Sequence, residues 1–313
     1  LAAVAVIFLL GCWFNADGAF FRWSTHRDML RQASIFGILA CGMTIVILSG
    51  GIDLSVGSLT GLVAVVFSLT TIHWRWPSEM ALALAVVIGA GLGALSGLAI
   101  AGFGVQPFIA TLAMMVFARG LAKWISGGQK ISTAVLRPDG TYQYVEDPRI
   151  FELLDSRILG GNLAVVTLIF LACVSLCWFI LERTALGRYV FAVGGNEEAA
   201  HFSGVHVARV KVVVYALSGV FSAVAGICQA AQEFQGDPEA GGTYELTAIA
   251  IVVIGGTSLM GGQGGILLTL VGALTIGYLE KILSLNAVGE AGRLVLTGLI
   301  IVGAVLFQRT RLR

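Results

Sequence analysis

Apolar residues run along this chain in blocks of fourteen to twenty-two, with short polar joints between them and no strand-like alternation. A bilayer core takes about 20 residues of helix, so the blocks read as membrane helices rather than barrel strands. Ten spans are predicted, at 1–14, 33–49, 58–72, 80–101, 108–125, 163–181, 212–231, 246–259, 266–279 and 294–307. An even number puts both ends on one side. Several spans are shorter than a full crossing and meet at glycine-rich joints, the sequence pattern of discontinuous helices. The expected fold is an all-α membrane protein of about ten transmembrane helices, one domain over 1–313.

Composition agrees with this reading. Of 313 residues 57% are hydrophobic and 12% charged, and the mean hydropathy is +0.91, which leaves too little polar surface to coat a soluble globule. The net charge of +1 carries no nucleic-acid signature. Cys12, Cys41, Cys173, Cys177 and Cys228 all lie in apolar runs without metal-site spacing, as small buried hydrophobes do. The four histidines fall in predicted loops. The chain opens at Leu1 inside an apolar run with no basic leader, which reads as a truncated N-terminus rather than a signal peptide. Counting Lys and Arg leaves orientation open: Arg22, Arg27, Arg31, Arg75, Lys130, Arg137, Arg149 and Arg157 oppose the side holding 182–211 and Arg309, Arg311 and Arg313.

Two spans carry small residues at every fourth position, Gly89, Gly93, Gly97 and Ala101 in one, and Ser218, Ser222 and Gly226 in the other. Close helix packing is the expected use. In the long loop 127–161, Pro138, Asp139 and Gly140 sit between strand formers, which predicts a small hairpin outside the membrane, lying against the membrane domain or a partner protein; a linker without structure is the alternative. The string ISGGQK at 125–130 is not a phosphate loop, because the G-x-x-x-x-G-K-[ST] pattern is absent.

GGIDLSVG at 50–57 and GGTSLMGG at 255–262 share a spacing and each links two apolar runs. Paired glycines there interrupt a helix and free backbone groups to line a cavity or bend. Charges at membrane depth are expensive and so mark function. Asp53 and Glu245 are candidate gates or pathway walls, with Ser55 and Ser58 beside Asp53 and with Gly50, Gly51, Gly255 and Gly256 as joints. Arg119 and Lys123, near a span end, are expected to snorkel. No relay of carboxylates or histidines crosses the spans.

Between two spans lies GGNEEAAHFSG. Asn196 suits an N-cap, Glu197 and Glu198 suit a first turn, and Gly204 suits a left-handed stop, giving about two helical turns. Ala199 and Ala200 keep one side slim enough to enter a groove on another protein. A solvated connector fits the same residues.

EEAAHFSG resembles the E-A-A-x-x-x-G motif of ABC importer permeases, the cytoplasmic helix that docks into the ATPase subunit. With GGIDLSVGS, QPFIATLAMMVFARGLA, TALGRYVFAVGGNEEAAHFSG, YELTAIAIVVIGGTSLMGGQGG and VGALTIGYLEKILSL in that order, nearly the whole chain is similar to the permeases of ribose-type monosaccharide ABC importers. The resemblance implies a homodimeric or pseudo-dimeric permease, multi-pass in the inner (plasma) membrane with both termini cytoplasmic. It places 182–211 in the cytoplasm and 127–161 outside, the latter longer and more polar than the family's usual loop. Its partners would be membrane lipid, a second copy, a cytoplasmic ATPase and a periplasmic or lipid-tethered sugar-binding protein. This chain would hold no cofactor and catalyse nothing, ATP and magnesium acting on the ATPase. Rival readings are an ABC permease for another small solute such as a nucleoside, and an ion-coupled secondary transporter. The missing carboxylate relay counts against the second.

Overall fold

A computed structural model describes residues 2–136, 140–289, 291–293, 295–296 and 298–299. In chain order the elements are α1 (Ala2–Trp13), α2 (Trp23–Leu48), α3 (Val56–Ser68, prolonged by a π-helical turn to His73), α4 (Ser78–Phe103), α5 (Pro107–Ser126), β1 (Ala134–Leu136), β2 (Tyr142–Tyr144), α6 (Arg149–Asp155), β3 (Arg157–Ile158), β4 (Leu163–Ala164), α7 (Val165–Arg183), α8 (Ala185–Gly195), α9 (Glu197–Phe202), α10 (Val207–Glu233), α11 (Tyr244–Gly255) and α12 (Ile266–Leu285).

Seven of these helices are long and apolar enough to cross a membrane, and α1 and α11 are shorter apolar helices. They coincide one for one with the first nine predicted spans, and the all-α membrane fold is as expected. The span at 294–307 lies mostly outside the described residues, as do Pro138 and Asp139. Local chemistry sets the ends. Helix α5 starts with Pro107 at its first position and stops at Gly127, whose φ of 61° is left-handed; Gly104 (φ 66°) ends α4 in the same way. Helix α2 begins ten residues before its apolar block, because its first turns carry Arg27, Asp28 and Arg31. Three histidines lie in helical segments rather than loops: His26 in α2, His73 in the π turn and His201 in α9.

The chain forms two compact units, 1–50 with 157–197 and 246–313, and 51–156 with 198–245. In the first, α2 packs on α7 and α12, and α1 packs on α12. Polar side chains inside this apolar packing are paired: Thr44 and Thr269 share a 2.6 Å hydrogen bond, and Ser34 donates to Thr167 at 3.1 Å. Cys41, Cys173 and Cys177 are buried here as free thiols, in the role of small hydrophobes.

In the second unit α10 packs along α4 and α3, with α5 on the other side of α3. A Cβ on Gly89 would overlap the Gly219 carbonyl, one on Gly93 would overlap that of Tyr215, and one on Gly97 would lie 2.7 Å from the Val212 Cα. The two small-residue stripes therefore do not face each other. Helix α10 meets α4 through Gly219 and turns its Ser218, Ser222 and Gly226 side to α3 and its approaches, where a Cβ on Gly226 would lie 2.6 Å from the Thr60 carbonyl oxygen.

The predicted hairpin forms, pairing Ala134 with Tyr144 and Leu136 with Tyr142. It is tied down as a lone hairpin must be. Val145 and the Phe151 side of α6 pack on Phe67, Ile72, Ala81 and Ala231, and the rings of Phe67 and Phe151 stack with their centroids 5.4 Å apart.

Candidate translocation and coupling site

The GGIDLSVG stretch is a break between helices. After α2 ends, Gly50 turns left-handed (φ 82°), and regular helix resumes only at Val56. A broken helix among apolar neighbours exposes backbone groups that need partners. Asp53 supplies one, with only 1% of its surface exposed. Its Oδ1 accepts the Ser55 backbone N–H at 2.9 Å and the Ser55 hydroxyl at 2.6 Å, and its Oδ2 accepts the Ser218 hydroxyl from α10 at 2.7 Å. The free carbonyl of Ile52 accepts from the Thr111 hydroxyl at 3.3 Å and the Tyr215 hydroxyl at 3.5 Å. In this conformation Asp53 and Ser55 are internal supports closed off from solvent.

A second break follows α10, which stops at Phe234 in the left-handed region (φ 53°). From there the chain runs without regular structure to Tyr244. Gly236 and Ile131 exchange two backbone hydrogen bonds of 2.8 Å. Lys130 pairs with Asp237 at 2.9 Å and Lys123 with Glu239 at 2.6 Å. Arg119, from the apolar helix α5, donates through Nη1 to the carbonyls of Pro238 and Ala240, the latter at 2.7 Å. Arg119 is therefore no snorkelling anchor: its guanidinium turns inward and caps an irregular backbone. Charge-assisted bonds of this kind are about twice as strong as neutral ones.

Gly57 and Gly61, one turn apart on α3, make room for this segment. A Cβ on Gly57 would overlap the Gly241 carbonyl and lie 2.6 Å from Glu245 Oε2, and one on Gly61 would lie 2.6 Å from the Ala240 oxygen. Beside them opens a cleft of about 420 Å³ whose lining includes Ser58, Met115, Arg119, Lys123 and Glu245. The structure thus brings Ser58 and Glu245 together with Arg119, and sets Asp53 and Ser55 in the hydrogen-bonded break just before α3. Burial pulls against ionisation of Asp237, but the Lys130 hydrogen bond, the Glu239 N–H and the charges of Lys130 and Arg119 hold its carboxyl below the usual range. The same pair raises Lys130.

The joint residues Gly255 and Gly256 are in the first unit. A Cβ on Gly255 would overlap the Leu268 carbonyl of α12, and Gly256 has φ 115°. Asn196 is extended (φ −160°) immediately before α9, and Gly204 is left-handed (φ 84°) immediately after it. The Val205 N–H returns to the Ala200 carbonyl at 3.0 Å to close the helix end. Glu197, Glu198 and Ala199 are exposed and Ala200 is buried. Phe202, which hydropathy passed over inside a polar loop, stands 80% exposed on this helix. An acidic first turn followed by an exposed aromatic ring suits a helix that docks in a groove.

The chain matches the family described as branched-chain amino acid transport system / permease component over residues 27–305. It is 38% identical to the ribose import permease protein RbsC of Escherichia coli strain K12, covering 98% of this chain and 92% of that one. Against RbsC of Bacillus subtilis strain 168 it is 42% identical over 91% and 84%. The xylose transport system permease protein XylH of Escherichia coli strain K12 is 32% identical over 97% and 89%. No solved structure matches. With its apolar helices, its two supported helix breaks and this end-to-end similarity, the chain belongs to that family and is a multi-pass membrane permease subunit, not an enzyme.

Proposed function

We propose that this permease imports a ribose-type monosaccharide, working with a separate ATPase, a sugar-binding protein and a second permease copy. The observation that carries the reading is the second helix break: an arginine inside an apolar helix holds irregular backbone beside a cleft whose lining includes Ser58 and Glu245. Non-helical backbone among membrane helices is tolerated where it borders a cavity, and a few hydroxyl, amide and carboxylate groups suit a polyol that must be released as well as bound. The relatives favour a sugar over the branched-chain amino acids in the family's description, since those named here are ribose and xylose permeases.

In this reading the termini are cytoplasmic, α9 docks on the ATPase, and the hairpin with α6 faces outside. ATP and magnesium stay on the ATPase. Its closure moves α9, and a differential fit of the two permease conformations couples ATP to the cleft.

The test is uptake of labelled ribose by vesicles containing this chain with its ATPase and binding protein, with xylose and leucine as competitors. Ribose accumulation that requires internal ATP and is reduced by xylose but not by leucine is expected. Glu198→Arg is expected to insert normally and abolish stimulated ATP hydrolysis. Uptake driven by an ion gradient without the ATPase would refute the proposal.

A further inference from the structure

Three glycine-bearing segments that sequence keeps far apart meet backbone to backbone in the first unit. They are the end of α2 at 48–50, the end of α8 at 194–195, and the loop 261–262 before α12. The Gly262 N–H donates to the Leu48 carbonyl at 3.0 Å. A Cβ on Gly194 would overlap that same carbonyl oxygen and lie 2.8 Å from the Gly262 nitrogen. One on Gly261 would lie 2.7 Å from the Gly194 oxygen and 3.0 Å from the Gly50 nitrogen, and one on Gly262 would lie 2.7 Å from the Gly195 Cα. Gly50, Gly261 and Gly262 also hold left-handed φ values of 82°, 85° and 69°. Only glycine fits at 194, 261 and 262, and interlocked backbone has no side chain that can yield by changing rotamer.

Each strand of the seam leads to a part of the transport machinery. Gly195 is followed after one residue by α9. Gly50 opens the stretch that carries Asp53, and Gly262 lies in the loop that joins α11 to α12. We infer that Gly194, Gly261 and Gly262 are positioning residues that hold the end of α8, and so the approach to α9, against the end of α2 and the α11–α12 loop, so that movement of the docking helix is passed to both of these glycine joints as one displacement. Contiguous backbone packing of this kind can carry a displacement from one element to the next. The inference rests on the importer reading, and it explains why the two similar glycine strings, GGIDLSVG and GGTSLMGG, occur in one chain: they meet at one joint.

Gly195 provides an internal control, because a Cβ there meets nothing within 4 Å. In vesicles with the ATPase and binding protein, Gly194→Ala and Gly261→Ala are expected to retain ATPase binding and ATP hydrolysis while sugar imported per ATP falls about tenfold, within the usual span of coupling between sites. Gly195→Ala is expected to match wild type. An unchanged ratio in Gly194→Ala, or an equal loss in Gly195→Ala, overturns the inference. Should the alanine variants fail to fold, the wild-type complex decides by hydrogen exchange. The Gly262 amide is expected to stay protected with and without an ATP analogue while 197–204 changes; opening of that amide in one nucleotide state overturns rigid transmission. If wild type captures no ATPase at all, the importer reading falls and this inference with it; if wild type captures it and couples normally, only the variants bear on the seam.

Discussion

The Asp53 cluster gives a prediction whose size can be worked from its hydrogen bonds. Asp53→Ala removes one acceptor side chain from three donors: the Ser55 N–H and the hydroxyls of Ser55 and Ser218. The hydroxyls can rotate, and Ser218 has a carbonyl of its own helix one turn back as an alternative acceptor. The Ser55 N–H cannot rotate, and an unsatisfied buried donor costs about 1–3 kcal/mol. Two charge-assisted bonds partly replaced add about 2 kcal/mol, offset in part because no carboxylate is then buried. The total expected is about 3–5 kcal/mol, or a melting temperature lower by about 6–10 °C for a chain of this size. Asp53→Asn keeps the Oδ1 bonds and lets Ser218 accept instead of donate, so it is expected to cost about half as much. Ser218→Ala removes one bond, and the Asp53 and Ser218 changes together are expected to fall short of additivity by about 1–2 kcal/mol. The assay is thermal unfolding in detergent with a thiol-reactive fluorophore, because Cys41, Cys173, Cys177 and Cys228 are buried until the fold opens. Strict additivity in the double variant, or equal losses in Asp53→Ala and Asp53→Asn, would refute the reasoning.

Arg119→Met leaves the Pro238 and Ala240 carbonyls without their donor, so it is expected to destabilise by about 2–4 kcal/mol in the same assay; a neutral result would show that the segment does not depend on Arg119. Gly93→Leu drives a side chain into the α10 backbone at Tyr215 and is expected to prevent accumulation of folded protein, read by size-exclusion chromatography after extraction. The Lys130–Asp237 pair has a worked pH dependence. Asp237 titrates lower in the folded state, so its contribution is present above about pH 4 and is lost as pH falls through the folded value; Lys130 titrates higher, so its contribution is present below about pH 10 and is lost as pH rises through the folded value. Asp237→Asn is expected to remove the acid limb of the melting-temperature profile while leaving neutral pH nearly flat.

Much of the fold was legible because lipid-soluble helices announce themselves by uninterrupted apolar length. The nine spans, the hairpin at 134–144 and the short helix at 197–202 were all readable, the last from Asn196 and Gly204 as its two stops. Helix α8 was not. It sits between charged residues, and buries only one face through Val190 and Val193, so a hydropathy window averages it into loop. The short α6 was hidden for the same reason, with Phe151 its one fully buried anchor. The stripes on α4 and α10 were recognised as packing surfaces, but spacing does not reveal the partner, and Ser218 and Ser222 turned out to serve α3 and the Asp53 break.

Arg119 was the most informative miss, and it shows how this permease supports its breaks. A charge near the end of an apolar run has two outlets: it reaches outward to the interface, or inward to backbone left unpaired by a broken helix. Sequence cannot choose between them because the break that Arg119 serves lies 119 to 121 positions away, at Pro238 and Ala240. Once the break is seen, the choice follows from charge. The irregular carbonyls of Pro238 and Ala240 need donors, and a guanidinium supplies them; the start of α3 presents donors, and a carboxylate at Asp53 supplies the acceptor. The two breaks are thus held by opposite charges for one reason, to satisfy opposite backbone groups without water. Supports of this kind keep irregular backbone ordered beside the cleft that Ser58 and Glu245 help to line.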